Sequence, residues 1–171
     1  EIDGYRLLEV LRQDSTGPVY KAAQVTSAQT VMLAKLDPTL ADDAAFLSSL
    51  RVAVQALMGL NSPHIVQVYA LLQTQVGVFI VMEYVAGHTL ADLLGEVGSL
   101  SWQQVRFLMQ QVLIALDHAH SVGVVHHDLN PSHIIITPTG YVKVMRFGMG
   151  AVLLPTTRTR TGRIGRVEYL S

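Results

Sequence analysis

The chain has 171 residues, half of them hydrophobic and 15% charged, with a formal net charge of -1. That composition excludes an intrinsically disordered chain and offers no excess of basic charge for nucleic acid. There is no cysteine, which excludes disulfides, thiol catalysis and cysteine-ligated zinc, and no apolar run has the length of a membrane-spanning helix.

Residues 5–11 form the first predicted strand. After a turn cluster through Asp14, Gly17 and Pro18, residues 19–25 and 30–36 form two more, spaced for an antiparallel meander. Asp42 and Asp43 open a predicted helix whose Phe46, Leu50, Val54, Leu57 and Leu60 recur at helical spacing, and Asn61, Ser62 and Pro63 close it. Residues 65–72 and 76–83 read as another strand pair. Gly87 interrupts, and Thr89 with Asp92 is placed to cap a short helix. Ser101 and Gln104 form a capping-box pattern before a long helix, with an apolar stripe of Val105, Leu108, Met109, Val112, Leu113 and Leu116. Two short apolar runs, 134–136 and 141–144, flank a turn at Pro138, Thr139 and Gly140. They read as a hairpin holding two loops side by side, one with Asp128 and His133, the other with Arg146, Phe147 and Gly148. Residues 149–171 are rich in Thr, Arg and Gly and read as a flexible loop. Strands with one helix first, then mostly helices, predict an α+β fold of two lobes, residues 1–83 and 89–171, with a hinge at 84–88.

Several motifs fall in a telling order: Val19-Tyr20-Lys21-Ala22, residues 31–36, Asn61-Ser62-Pro63-His64-Ile65-Val66, Val81-Met82-Glu83-Tyr84-Val85, His126-x-Asp128 and Phe147-Gly148. Together they resemble the bacterial branch of the eukaryotic-like serine/threonine protein kinases, from Tyr5 to Ser171. The hairpin and its loops are similar to the family's H-R-D-L-x-x-x-x-N and D-F-G motifs. The resemblance implies a bilobal kinase-like fold, with an antiparallel β upper lobe carrying one helix and a partial, mainly helical lower lobe ending in the activation segment. Phosphoryl transfer in such a fold needs a glycine loop over the phosphates, a lysine held by a glutamate, oxygen ligands for magnesium, and a base.

Position by position, the resemblance carries over with departures. The three glycine places of the phosphate loop hold Arg12, Asp14 and Gly17. The lysine place holds Ala34, with Lys35 one residue late, which turns its side chain to the other face of the strand. The glutamate place holds Ala53. Asp128 stands where the family has its base, beside His127 and Asn130 in place of the usual arginine and lysine. The metal-binding asparagine is His133, and the metal-binding aspartate is Arg146. Leu57, Val68, His126 and Phe147 match the family's regulatory spine, and Met82 its gatekeeper. A nucleotide pocket would be lined by Val19, Met32, Lys35, Glu83, Val85 and Ile135.

The expected function is therefore that of a pseudokinase, a regulatory or scaffolding module with another protein, or the rest of its own parent chain, as partner. No metal and no cofactor is required, ATP or ADP binding weakly without magnesium is compatible, and neither nucleic acid nor membrane is engaged by this segment. Asp128 is expected to be a vestigial base paired with Arg146. The alternative is a divergent active kinase that uses Asp128 as base and Lys35 with Arg146 as phosphate clamps. A third reading, a metal site from His118, His120, His126, His127 and His133, is weaker because His126 is accounted for by packing. Thr157, Thr159 and Thr161 would be phosphorylation sites of the activation segment, which also carries Arg158, Arg160, Arg163 and Arg166, and Gly165-Arg166-x-x-Tyr169 resembles the family's substrate-side G-T-x-x-Y. The sequence begins at Glu1 with no leader and reads as part of a longer chain, cytoplasmic or the cytosolic part of a membrane-anchored parent. Where the family continues with further helices, an apolar surface of the lower lobe is expected to be exposed.

Overall fold

A computed structural model describes residues 1–14 and 17–149. The proposed phosphorylation sites and the arginines of the tail lie outside the described residues. Five antiparallel strands build the upper lobe: β1 (Tyr5–Asp14), β2 (Gly17–Gln24), β3 (Thr30–Lys35), β4 (Val68–Thr74) and β5 (Gly77–Glu83), in the order β1-β2-β3-β5-β4. Two helical segments follow β3, α1 (Pro38–Ala41) and α2 (Ala44–Met58). The expected helix is thus α2, but it stops at Gly59, before Asn61, and α1 precedes it. Asp37 caps α1 by accepting from Thr39 N, and Asp43 caps α2 by accepting from Ala45 N and Phe46 N. Each cap satisfies donors that the first turn leaves unpaired.

Period-two alternation decides the faces of the sheet. Met32 lies with Val19, Ile80 and Met82 in the core that runs under the sheet, packs on Leu50, Val54 and Leu57 of α2, and continues into the lower lobe. Val31 and Leu33 lie on the outer face with Ala22, Phe79 and Val81, partly covered by Tyr5, Tyr20 and Tyr69. β3 is held in register against β5, with Ala34 opposite Ile80 and Lys35 opposite Phe79.

The lower lobe contains β6 (His88–Thr89), α3 (Leu90–Val97), α4 (Trp102–Ser121), β7 (Ile134–Ile136) and β8 (Val142–Val144), with β7 at the centre of a small antiparallel sheet. Thr89 with Asp92 and Ser101 with Gln104 form full capping boxes on α3 and α4. Only Leu108 and Val112 of the predicted stripe of α4 are buried. The buried face is completed by Gln111, Ala115 and Ala119, whose small or amide side chains admit close approach to β8. Gln111 Nε2 donates to Gly140 O at 3.2 Å, and its Oε1 accepts from Val142 N at 3.0 Å. Met109 and Leu113 of the stripe, together with Trp102, Phe107 and Ile114, are exposed, which matches the expected uncovered apolar surface.

Two features fix the lobes to each other. The segment after α2 lies along β8, with Val66 N donating to Val144 O at 2.9 Å and Val144 N to His64 O at 2.8 Å. Gly87, in the hinge, sits so close to β7 that a Cβ there would lie 2.3 Å from Ile136 O.

Candidate functional site

The cleft between the lobes holds a cavity of about 480 Å³. Met32 and Leu11 line it from the sheet, Val85 and Gly87 from the hinge, and Ile135 and His133 from the lower lobe. A smaller apolar cavity of about 40 Å³ lies further in, lined by Val19, Ala34, Leu36, Leu57, Val68 and Ile80, among others. Arg12 and Arg146 line both.

The structure brings some of the sequence-derived residues together and separates others. Val19, Met32, Val85 and Ile135 all line one cavity or the other. Lys35 lines neither, and its assignment to the pocket is corrected. Its ammonium lies 5.8 Å from the centre of the Phe79 ring on the outer face of the sheet, because strand alternation gives the cleft-facing position to Ala34. Glu83 also lines neither cavity. Its carboxylate accepts from Lys143 Nζ at 2.8 Å and from Gln67 N at 3.2 Å, tying the end of β5 to β8. Ala53 is partly buried on α2 and lines neither cavity. The backbone of Asp14 ends β1.

The four spine residues are buried in one core, and the His126 ring is tilted on Phe147 with centroids 4.8 Å apart. A backbone carbonyl can only accept, so His126 Nε2 carries the proton that it gives to Met145 O at 2.9 Å. Its Nδ1 accepts from Asp128 N at 3.3 Å. Burial holds the His126 pKa below the usual histidine range, against that hydrogen bond to Met145 O.

The Asp128 loop is organised by Asn130, which the sequence reading treated only as a replaced lysine. Asn130 is buried, its Oδ1 accepts from Ser132 N at 3.0 Å, and its Nδ2 donates to Asp128 O at 3.0 Å and to Asp128 Oδ1 at 3.3 Å. Pro131 starts a single turn of 3-10 helix, Pro131–His133, and an asparagine before proline at such a turn is the signal that identifies it as a cap. His133 is buried and gives its Nδ1 proton to Asp128 O at 2.7 Å. Its pKa is pushed down to about 4, first by burial and then by the nearby Arg146 charge, with the hydrogen bond to Asp128 O opposing. It is therefore neutral at neutral pH.

Within this cluster the Asp128 carboxylate lies 3.7 Å from His133 Nδ1 and accepts from Asn130. Arg146 has φ +68 and His127 φ +66, both left-handed, and these turns set the directions of the two loops. The histidine metal site is also set aside. Among the described residues no group of three or more His, Cys, Asp or Glu is placed to hold a metal, and both ring nitrogens of His126 and the Nδ1 of His133 are engaged as described.

Arg12 was read only as a lost glycine. Its Nη2 donates to Met145 Sδ at 3.2 Å, so its guanidinium spans from β1 to the segment after β8. That reach had no sequence signal, because β1 is bulged between Val10 and Arg12. Magnesium wants oxygen ligands. A guanidinium at 146 and a neutral imidazole at 133 whose Nδ1 is committed to Asp128 O do not fit it.

A family model described as protein kinase domain matches residues 5–171. The chain is 34% identical over 179 residues to the probable serine/threonine-protein kinase PknB of Bifidobacterium longum, covering 98% of this chain and 26% of that protein. It is 34% identical over 168 residues to the serine/threonine-protein kinase PrkC of Bacillus subtilis, covering 98% and 26%. It is 32% identical over 173 residues to the serine/threonine-protein kinases PknA of Corynebacterium glutamicum, covering 98% and 37%. The chain thus spans between 26% and 37% of the length of these curated relatives. With the antiparallel upper lobe, the hinge and the His126–Phe147 core in place, the chain belongs to the protein kinase domain family.

Proposed function

We propose that this chain is a catalytically impaired kinase-like domain that acts as a regulatory, protein-binding module. The observation that carries the reading is the chemistry of the cleft. Ala34 faces it where a lysine would grip phosphate, and Arg146 with neutral His133 occupies the positions that would hold a dication. Coulomb repulsion between Arg146 and a dication opposes the metal at the point where phosphoryl transfer depends on it. The intact core beside this altered chemistry suits a domain kept for its surface, and the exposed Trp102, Met109, Leu113 and Ile114 of α4 offer an apolar face to a protein partner or to the rest of a longer parent chain. A cytoplasmic location goes with that role.

Purified protein incubated with labelled ATP and magnesium, with a general protein substrate, tests this directly. The expected result is no transfer above that of the Asp128→Ala variant. Transfer at ordinary kinase rates that is lost in Asp128→Ala would refute the proposal. The divergent-kinase alternative would have to proceed without Lys35, which packs on Phe79 outside the cleft.

A further inference from the structure

Helix α4 leaves one face uncovered among the described residues, and that face has an order of its own. Leu108, Gln111, Val112, Ala115 and Ala119 are buried on the side toward β8. At about 100° per residue, the opposite side is a row of Arg106, Gln110, Leu113 and Asp117. All four are exposed. Met109 and Ile114 flank the row at 38% and 53% exposure, and Trp102 stands at its start at 76%. Single apolar side chains on a surface are ordinary, whereas a run of them along one helix face is a contact surface. Arg106 and Asp117 make no ion pair among the described residues. They stand three helical turns apart, about 16 Å, and point within about 20° of each other. The face therefore carries a cation near one end, an anion near the other, and apolar side chains between and beside them.

We propose that this face binds a second copy of the chain, the two α4 helices lying antiparallel about a two-fold axis at the level of Gln111 and Val112. The inference names the partner that the proposed function leaves open, and it rests on the reading of α4 there as a protein-binding face. A two-fold axis at that level sets Arg106 of each protomer against Asp117 of its partner, so both ion pairs form at once. The same operation sets Met109 against Ile114 and Leu113 against Gln110, which covers the apolar side chains between the two pairs. A parallel arrangement would instead set Arg106 against Arg106 and Asp117 against Asp117, and it would align the helix dipoles unfavourably. The net charge of -1 per chain opposes association only weakly. The helix has 20 residues, a length of about 30 Å. A contact confined to it is at the low end of specific interfaces, which sets the expected Kd at about 1–100 µM.

Sedimentation velocity of the purified chain from about 1 to about 200 µM tests the proposal. A reversible monomer–dimer equilibrium is expected, with no larger species, since a two-fold contact closes on itself. Asp117→Arg and Arg106→Asp each set like charges together at both pairs, and each should weaken self-association at least about 10-fold. An equimolar mixture of those two variants recovers opposite charges at both pairs, so it should dimerise within about 3-fold of the parent's affinity. The double variant, Arg106→Asp with Asp117→Arg, exchanges the two charges and should self-associate like the parent. Melting curves identify the variants that fold, and the double variant keeps the test decisive where a single one does not. A monomer at about 200 µM, species larger than a dimer, unchanged self-association in a folded single variant, or no recovery in the mixture or in the folded double variant would each overturn the proposal. A monomeric chain would leave catalytic impairment standing and the face to a different protein or to the rest of a longer parent chain. Phosphate transfer to a substrate would refute the impairment and leave the dimer to be judged by its own titration.

Discussion

His133 makes the stability of this domain dependent on pH in a way that can be calculated. Its ring is buried, with Asp128, His126 and Arg146 as the charged or titratable neighbours. Its pKa falls from 6.5 to about 4, because burial and the Arg146 charge disfavour the imidazolium more than Asp128 favours it. The unfolded chain therefore binds a proton at His133 between those two values while the folded chain does not. Stability from this group is present in full above the unfolded pKa and is lost as the pH falls toward 4. At about pH 5 the loss from His133 alone is about 2 kcal/mol relative to neutral pH, at 1.36 kcal/mol per unit. A small domain stable by about 5–15 kcal/mol loses a measurable share of its stability. Urea unfolding of the parent and of His133→Asn at about pH 7.5 and about pH 5 isolates the effect, since asparagine does not titrate and His126 remains in both proteins. The parent should lose about 2 kcal/mol more than the variant. Parallel losses in the two proteins would show that His133 is not held neutral by burial, and the reasoning would fail.

Two further expectations follow from the packing. Ala34→Lys, which restores a lysine at the cleft-facing position, puts an ammonium beside an apolar cavity of about 40 Å³ among Leu36, Leu57, Val68 and Ile80. It should destabilise the domain by about 3 kcal/mol or more in urea unfolding, and a variant as stable as the parent would contradict the placement of Ala34. Gln111→Ala removes the partner of Val142 N and of Gly140 O. It should cost about 1–3 kcal/mol and speed hydrogen exchange at the Val142 amide, whereas unchanged exchange there would show that this amide is protected by something else.

What the sequence made legible is what depends on short-range rules. The capping residues Thr89, Asp92, Ser101 and Gln104 act within one helical turn, and all of them cap as read. The face of Lys35 followed from strand alternation alone, since Val31, Leu33 and Lys35 share a parity and the first two are buried on the outer face. The bends and the long side chains were not legible. The bulge in β1 breaks the alternation just before Arg12, so no pattern announces that its guanidinium reaches Met145. Likewise, the hydrogen bonds from Asn130 to Asp128 depend on the Asn130 cap, in a loop that carries the left-handed, non-glycine His127. On α4 the periodicity identified apolar positions, but which of them are covered depends on Ala115 and Ala119, whose size lets the helix approach β8 on one side only.

On the proposed reading the departures at Ala34 and Ala53 are physically coupled, and no single reversal is expected to restore an active site. A lysine at 34 without a glutamate at 53 is a buried cation with no counter-charge, and a glutamate at 53 without the lysine has no partner to gain. The inner cavity beside the small Ala34 side chain measures about 40 Å³, with Arg12 and Arg146 at its wall. Arg146 adopts φ +68, a conformation that costs an ordinary L-residue about 1–2 kcal/mol, and aspartate tolerates that conformation better. Arg146→Asp should therefore ease the backbone, but it would put a second carboxylate in the cluster of Asp128 and His133, with His133 neutral. The changes at 34 and 53 remove the two members of one charge pair together, and Arg146 puts a cation where the family has a carboxylate, so the chemistry of the cleft follows from the set of residues taken together.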